Sequence, residues 1–463
     1  MSAPERNAET PARASRGYGR GAAVLSLGIG TTGLVTFGYF ALASHALSAT
    51  DYGGIALLWS VVFVTASVIW RPVEQFLSRS IADCDARGLS PRPYLVSAGA
   101  IQVALAGLFV AVALLLRRPL EEGLFGGRAT LYWILLATVV AYAASYFARG
   151  FLAGHGRFGL YGGLVLLEAT SRCAFALAAV SGVTHGQTAV ALGMVAAPLV
   201  SLAVVPWGIR RVDAPTLTQP AGRSAEGLAA GLRSGTGFAG ALVVIMACEQ
   251  TFLNAGPLLV KLRDGAAGAA LAGQAFNVLL IARAPLQLFQ AIQTSILPHL
   301  TRLRAHGERE SFARSVGATI ALIGAFAAAV ASAMAVAGPQ LMALVFGGEY
   351  ERLPLVVMAV GMGIYLAAAT LNQAVLAAGR AASAAACWLA ALALFTVALV
   401  APLVDDRILH VTIAYALGAT ALAVLLARLA RASATPPDQR ASTASDRLQH
   451  RVPAGGAGDV GGR

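Results

Sequence analysis

Residues 265–300 read GAAGAALAGQAFNVLLIARAPLQLFQAIQTSILPHL, with Arg283 near the middle. The stretch is apolar apart from a few polar residues, and it exceeds the roughly 20 residues that a helix needs to cross a bilayer. A charge at bilayer depth is costly and persists only where it faces a cavity or a partner. About twelve such apolar stretches follow one another along the chain. The sequence therefore reads as an all-α polytopic membrane protein, and its few intramembrane charges mark where function is to be sought.

Composition agrees. Of 463 residues, 57% are hydrophobic and 12% charged, and mean hydropathy is +0.70. Soluble domains carry roughly 25% charged residues. Spans are predicted near 22–46, 53–78, 93–116, 129–152, 159–183, 187–208, 234–260, 267–298, 315–338, 354–378, 383–404 and 409–430. The first apolar run is longer than a signal-peptide core, so it reads as a transmembrane helix. The predicted parts are a tail 1–21, a six-helix lobe 22–208, a linker 209–233, a second six-helix lobe 234–430 and a disordered tail 431–463 rich in Ser, Thr, Pro, Asp and Gly.

Basic residues set the orientation. With a cytoplasmic N-terminus, twenty-four arginines fall in cytoplasmic loops and tails. Seven basic residues fall outside: Arg117, Arg118, Arg128, Lys261, Arg263, Arg352 and Arg407. The positive-inside rule then places both termini and the linker in the cytoplasm of a cell-membrane protein. The net charge of +12 is a topology signal and not a nucleic-acid footprint. The four cysteines lack CxxC spacing, with three in spans and Cys84 in a cytoplasmic loop. The scattered histidines suggest no metal, and no cofactor is expected. The only lysine, Lys261, lies in no Walker A loop. Asp83-Cys84-Asp85 and Asp405-Asp406 read as solvated loops. No outer loop exceeds roughly 15 residues, which argues against an enzyme of the O-antigen ligase type.

The two halves resemble each other. Val73–Ile81 aligns without gaps to Ile292–Leu300 at an offset of 219, which also matches Gly54 to Gly273 and Gly88 to Gly307. Leu124-Phe125-Gly126-Gly127 matches Val345-Phe346-Gly347-Gly348 at 221, and Gly156-Arg157 matches Gly379-Arg380 at 223. Six spans per half is an even number, so both halves enter the bilayer from the same side. Such repeats are related by a pseudo-twofold axis along the membrane normal, with the substrate site between the lobes.

On the eighth span, Arg283, Gln287, Gln290 and Thr294 share about 60° of arc at 100° per residue. Gln274 and Asn277 extend that polarity toward the outer end. On the second span, Arg71, Glu74, Gln75, Ser78 and Arg79 share one face of about 140°. At offset 219 Arg71 pairs with Gln290, Glu74 with Gln293, and Gln75 with Thr294, whereas Arg283 matches only Val64. The bland readings are that Arg71 and Arg79 snorkel at a cytoplasmic helix end, that Glu168 pairs with Arg172 four residues on, and that Arg283 pairs with Glu249. The intramembrane charges Arg71, Arg172 and Arg283 balance Glu74, Glu168 and Glu249.

Several segments carry a resemblance. Pro72–Arg79, Leu253-Asn254-Ala255-Gly256-Pro257-Leu258-Leu259-Val260-Lys261, Ala282–Gln290 with Leu297-Pro298, and Val345-Phe346-Gly347-Gly348-Glu349-Tyr350 resemble the second, seventh and eighth helices and the turn before the tenth of actinobacterial, Wzx-like polysaccharide-biosynthesis flippases. These belong to the multidrug/oligosaccharidyl-lipid/polysaccharide (MOP) exporter superfamily. The resemblance spans about residues 20–430. It implies two six-helix lobes in a V that flip a polyprenyl-pyrophosphate-linked oligosaccharide from the inner to the outer leaflet. It implies that Arg283 and then Arg71 grip the pyrophosphate; the polar-face residues Gln287, Gln290, Gln75 and Glu74, with Glu249 and Asn254, complete the candidate substrate site. The implied partners are the lipid-linked oligosaccharide, membrane lipid, a polysaccharide polymerase and glycosyltransferases. The rival readings are a lipid II flippase, a cation-coupled multidrug exporter using Glu74 and Glu249, and a membrane enzyme acting on lipid-linked sugars.

Overall fold

The computed structural model describes residues 11–209, 222–265, 268–281 and 309–434. Every regular element among them is helical. The helices are α1 Pro11–Ala46, α2 Ala49–Arg87, α3 Arg92–Leu115, α4 Ala129–Gly154, α5 Phe158–Val180, α6 Gly186–Ser201, α7 Gly222–Asp264, α8 Gly268–Ile281, α9 Arg309–Phe346, α10 Arg352–Ala377, α11 Ala381–Val400 and α12 Arg407–Ala434. A turn of 3-10 helix at Leu202–Val204 carries α6 on into Val205–Ile209. Ten of these helices are long and apolar enough to cross a membrane, and α8 is a shorter apolar helix. The chain is a multi-pass membrane protein. Arg283, Gln287, Gln290 and Thr294 lie outside the described residues.

One local expectation needs correction. The α2 helix continues to Arg87, so Asp83-Cys84-Asp85 is helical and not a loop. Asp83 pairs with Arg87 at 2.9 Å, and Asp85 meets His155, just past the end of α4, at 2.7 Å. Cys84 is buried between them. Asp405 and Asp406 do lie in the short loop before α12, and Asp406 caps that helix: its Oδ1 accepts from the amides of Ile408 and Leu409 at 2.7 and 2.8 Å. The α7 helix begins at Gly222, inside the expected linker.

The repeat is visible in backbone and packing. Gly126-Gly127, after a π-helical turn at Pro119–Leu124, and Gly347-Gly348, after α9, take matched positive φ, 62° and 81° against 70° and 75°. Gly156 and Gly379, also matched, take φ of 66° and 73°. Side chains with a Cβ disfavour this region, so glycine is fixed at both copies. In the first half α1 packs on α5, α3 on α4, α4 on α6, and α5 on α6. In the second half α7 packs on α11, α9 on α10, α10 on α12, and α11 on α12. The same pairing thus recurs six helices later, which makes two lobes of one design.

Close helix approach depends on small residues. A Cβ at Gly150 or Gly154 of α4 would press on α2 at Glu74 or Ile81. The Trp70 indole of α2 donates to the Val139 carbonyl of α4 at 2.9 Å. These contacts fix the height of Arg71 and Glu74. Twenty-two residues separate Ala49 from Arg71, about 33 Å at 1.5 Å per residue. Arg71 therefore lies toward the end of the bundle that carries the 88–91 and 155–157 turns, the cytoplasmic end in the basic-residue assignment.

Candidate functional site

The α2 helix lies along the seam between the lobes and packs against α7. Gln75 is exposed there, and its Nε2 is 3.9 Å from the Met246 sulfur on α7. One turn along α7, Glu249 is half-buried. Arg71, also half-buried, feels the charges of both Glu249 and Glu74. No direct ion pair within 4.0 Å forms from Arg71 to either among the described residues. The seam thus carries Gln75 of α2 opposite Met246, with Glu249 one turn on along α7 and Arg71 one turn before Gln75 on the same face of α2; Glu74 turns back into the first lobe. Asn254 is not with them. It is buried further along α7, with Nδ2 donating to the Gln250 carbonyl at 2.8 Å among its contacts.

Behind α2 a polar network runs into the first lobe. The Tyr161 hydroxyl of α5 donates to Glu74 at 2.9 Å. Arg149 of α4 pairs with Glu168 of α5 at 2.5 Å and stacks over the Tyr146 ring at 4.5 Å. Glu168 also accepts from Ser145, and from Ser201 of α6 at 3.4 Å. Deeper in, Arg172 donates to the Tyr142 hydroxyl at 2.7 Å and lies over the Trp59 ring at 5.1 Å. Glu168 and Arg172 are 2% and 3% exposed, so both are fully committed to this interior. Burying a charge is tolerable when it is paired and hydrogen-bonded; Glu168 has both, while Arg172 has the Tyr142 hydroxyl and the faces of Trp59 and Phe63 in place of a counter-charge.

The expected Glu168–Arg172 pair does not form. An (i, i+4) pair is the default on an isolated helix, but a buried helix offers partners from its neighbours. Glu168 finds Arg149, and Arg172 finds an aromatic wall. Arg149 is one of the twenty-four arginines that the basic-residue count assigns to the cytoplasmic side. It lies five residues inside the end of α4, and its long side chain turns inward. The available signal was its four-residue spacing from Ser145, which puts both on one face.

The second lobe fills the same place differently. At the offset of 223, Tyr142 maps to Tyr365, Ser145 to Ala368, Arg149 to Asn372, Glu168 to Ala391 and Arg172 to Phe395. Asn372 accepts from the Trp388 indole at 3.1 Å. Phe395 stacks on Phe252 of α7 at 4.6 Å. An ionic core in one lobe corresponds to an aromatic core in the other.

No family model matches the chain, and no curated protein matches it. Solved structures do. One is an inward-facing multidrug resistance MATE family transporter of the MOP superfamily, with a TM-score of 0.63 at 15% identity over 89% of this chain and 98% of that one. A mutant of the Vibrio cholerae MATE transporter VcmN gives 0.60 at 17% identity, covering 90% and 98%. The eukaryotic MATE transporter AtDTX14 gives 0.60 at 14%, covering 94% and 99%. The chain has the fold of MATE-type membrane transporters of the MOP superfamily.

Proposed function

We propose that this protein moves a polyprenyl-pyrophosphate-linked oligosaccharide from the inner to the outer leaflet, by alternating access of its two lobes. The observation that carries the reading is Arg71 at the seam. A guanidinium on the seam-facing side of α2, toward the end that the basic-residue assignment makes cytoplasmic, would meet a phosphate arriving from the inner leaflet. Its planar fork suits a phosphate better than an ammonium does. Glu74 is engaged by Tyr161 and Glu168 by Arg149, Ser145 and Ser201. Two of the three intramembrane carboxylates are therefore occupied by donors, which weighs against a cation site built on them.

The competing reading, a cation-coupled multidrug exporter, shares the fold, and Glu249 is the carboxylate it would use. Reconstitution in proteoliposomes separates the two. A fluorescent polyprenyl-pyrophosphate-linked oligosaccharide in the inner leaflet should reach an external quencher in a protein-dependent way. The proposal fails if that signal stays at the protein-free level while a sodium or proton gradient drives export of a cationic dye.

Orientation has its own test. Single cysteines replacing Glu121, His185 and Glu349 in intact cells should react with an impermeant maleimide. Reaction only after permeabilisation would invert the topology.

A further inference from the structure

Asn277, polar in an apolar stretch and apart from the Arg71 seam, has a defined role in the structure. It lies on α8 in the second lobe and is 2% exposed. Its Oδ1 accepts from the hydroxyl of Tyr52, at the start of α2 in the first lobe. Its Nδ2 donates to the hydroxyl of Tyr350, in the turn between α9 and α10, at 2.8 Å. Tyr52 is 4% exposed. The relay therefore crosses the lobe boundary inside a buried contact.

Three further contacts surround it at the same end. Phe40 of α1 meets Phe276 of α8 with ring centroids 4.6 Å apart. Phe37 of α1 meets Phe346 of α9 edge-on at 5.2 Å. Between them α2 and α8 cross backbone to backbone: a Cβ at Gly53 would overlap the Ala269 carbonyl, and one at Gly273 would lie 3.1 Å from the Gly53 Cα. Gly273 is the repeat partner of Gly54. Gly53 and Gly273 are one position from equivalence, and equivalent positions of two related units meet only near the axis that relates them, so this crossing lies close to the pseudo-twofold axis. The relay is off-axis and unsymmetrical, since Asn277 corresponds to Leu58 and Tyr52 to Leu271.

We infer that Tyr52, Asn277 and Tyr350, set around the glycine crossing of α2 and α8, form a latch that holds the lobes together at the 347–351 end. Opening that end must break the Tyr52–Asn277 hydrogen bond between the lobes, and one such bond shifts an equilibrium roughly fivefold. The latch thus biases the lobes toward closure at this end, the outer one in the basic-residue assignment, and must release for each passage to it. Burial holds the Tyr350 hydroxyl above its usual pKa, so it remains neutral across the physiological pH range. The inference does not depend on which substrate the protein carries.

Spin labels on cysteines replacing Thr50 and Glu349, both exposed and on opposite lobes, report the separation directly. The measurement uses full-length protein in nanodiscs, with the four native cysteines removed. A single short distance is expected in the parent. Tyr52→Phe should raise the ratio of open to closed molecules roughly fivefold, the shift of one lost hydrogen bond. Asn277→Leu should raise it further, and Gly53→Ala, a steric wedge at the crossing, should give a mainly long distance. A stable, monodisperse Asn277→Leu and Gly53→Ala pair with the parent's distance distribution would overturn the latch. If Gly53→Ala does not fold, unchanged distances in Tyr52→Phe and Asn277→Leu suffice to overturn it.

Discussion

Replacing Arg149 by alanine should destabilise the protein more than any other single change at a polar residue of the first lobe. Glu168 would then be a buried carboxylate with only the Ser145 and Ser201 hydroxyls to satisfy it. Removing one partner of a buried ion pair costs about 3–5 kcal/mol, because the other charge is left uncompensated. Thermal unfolding in detergent should show a large drop in midpoint and a fall in monodisperse yield. Adding Glu168→Gln to Arg149→Ala should restore most of the loss, since a neutral amide needs no counter-charge. If Arg149→Ala unfolds at the parent's temperature, the pair contributes nothing to the fold and the buried network has been misread.

Arg71 should behave in the opposite way. It is half-buried at the seam without a direct ion pair among the described residues, so Arg71→Ala should leave folding and insertion intact. Transport should fall roughly tenfold or more, the scale of a lost charge-assisted hydrogen bond. Arg71→Lys should recover part of it, keeping the charge and losing the fork. Arg283→Ala provides the parallel measurement for the residue that the resemblance to flippases singles out. The informative variant is Arg71→Gln with Glu249→Gln. If that neutral pair transports like the parent while each single change fails, Arg71 only balances Glu249. Failure of the double variant as well keeps Arg71 in contact with the substrate.

The fold was legible because its signals are local. Apolar runs of span length mark helices, and Gly126-Gly127 and Gly347-Gly348 mark matched turns. The seam was partly legible for the same reason: Arg71, Glu74 and Gln75 share a helical face that periodicity alone identifies. What lay beyond local reasoning was which charge meets which. Arg149 and Glu168 are nineteen residues apart on different helices, and only the approach of α4 to α5 joins them. Tyr52 and Asn277 are 225 residues apart. Nothing in either neighbourhood points to the other, and only the crossing of two lobes does. One helix end was also misjudged, because polar residues at the close of α2 continue the helix past the apolar run.

The mismatch between the ionic core of one lobe and the aromatic core of the other bears on how such a chain could arise. Two identical six-helix subunits would carry two copies of the Arg149–Glu168 network or none, because a symmetric dimer cannot alter one protomer alone. Joining the copies in one gene removes that constraint. Phe395 could then replace an arginine in one copy while Arg172 stayed in the other, and Tyr52 could meet an asparagine that has no mirror image. Fusion thus permits broken symmetry, with one half free to specialise while its twin keeps the shared architecture.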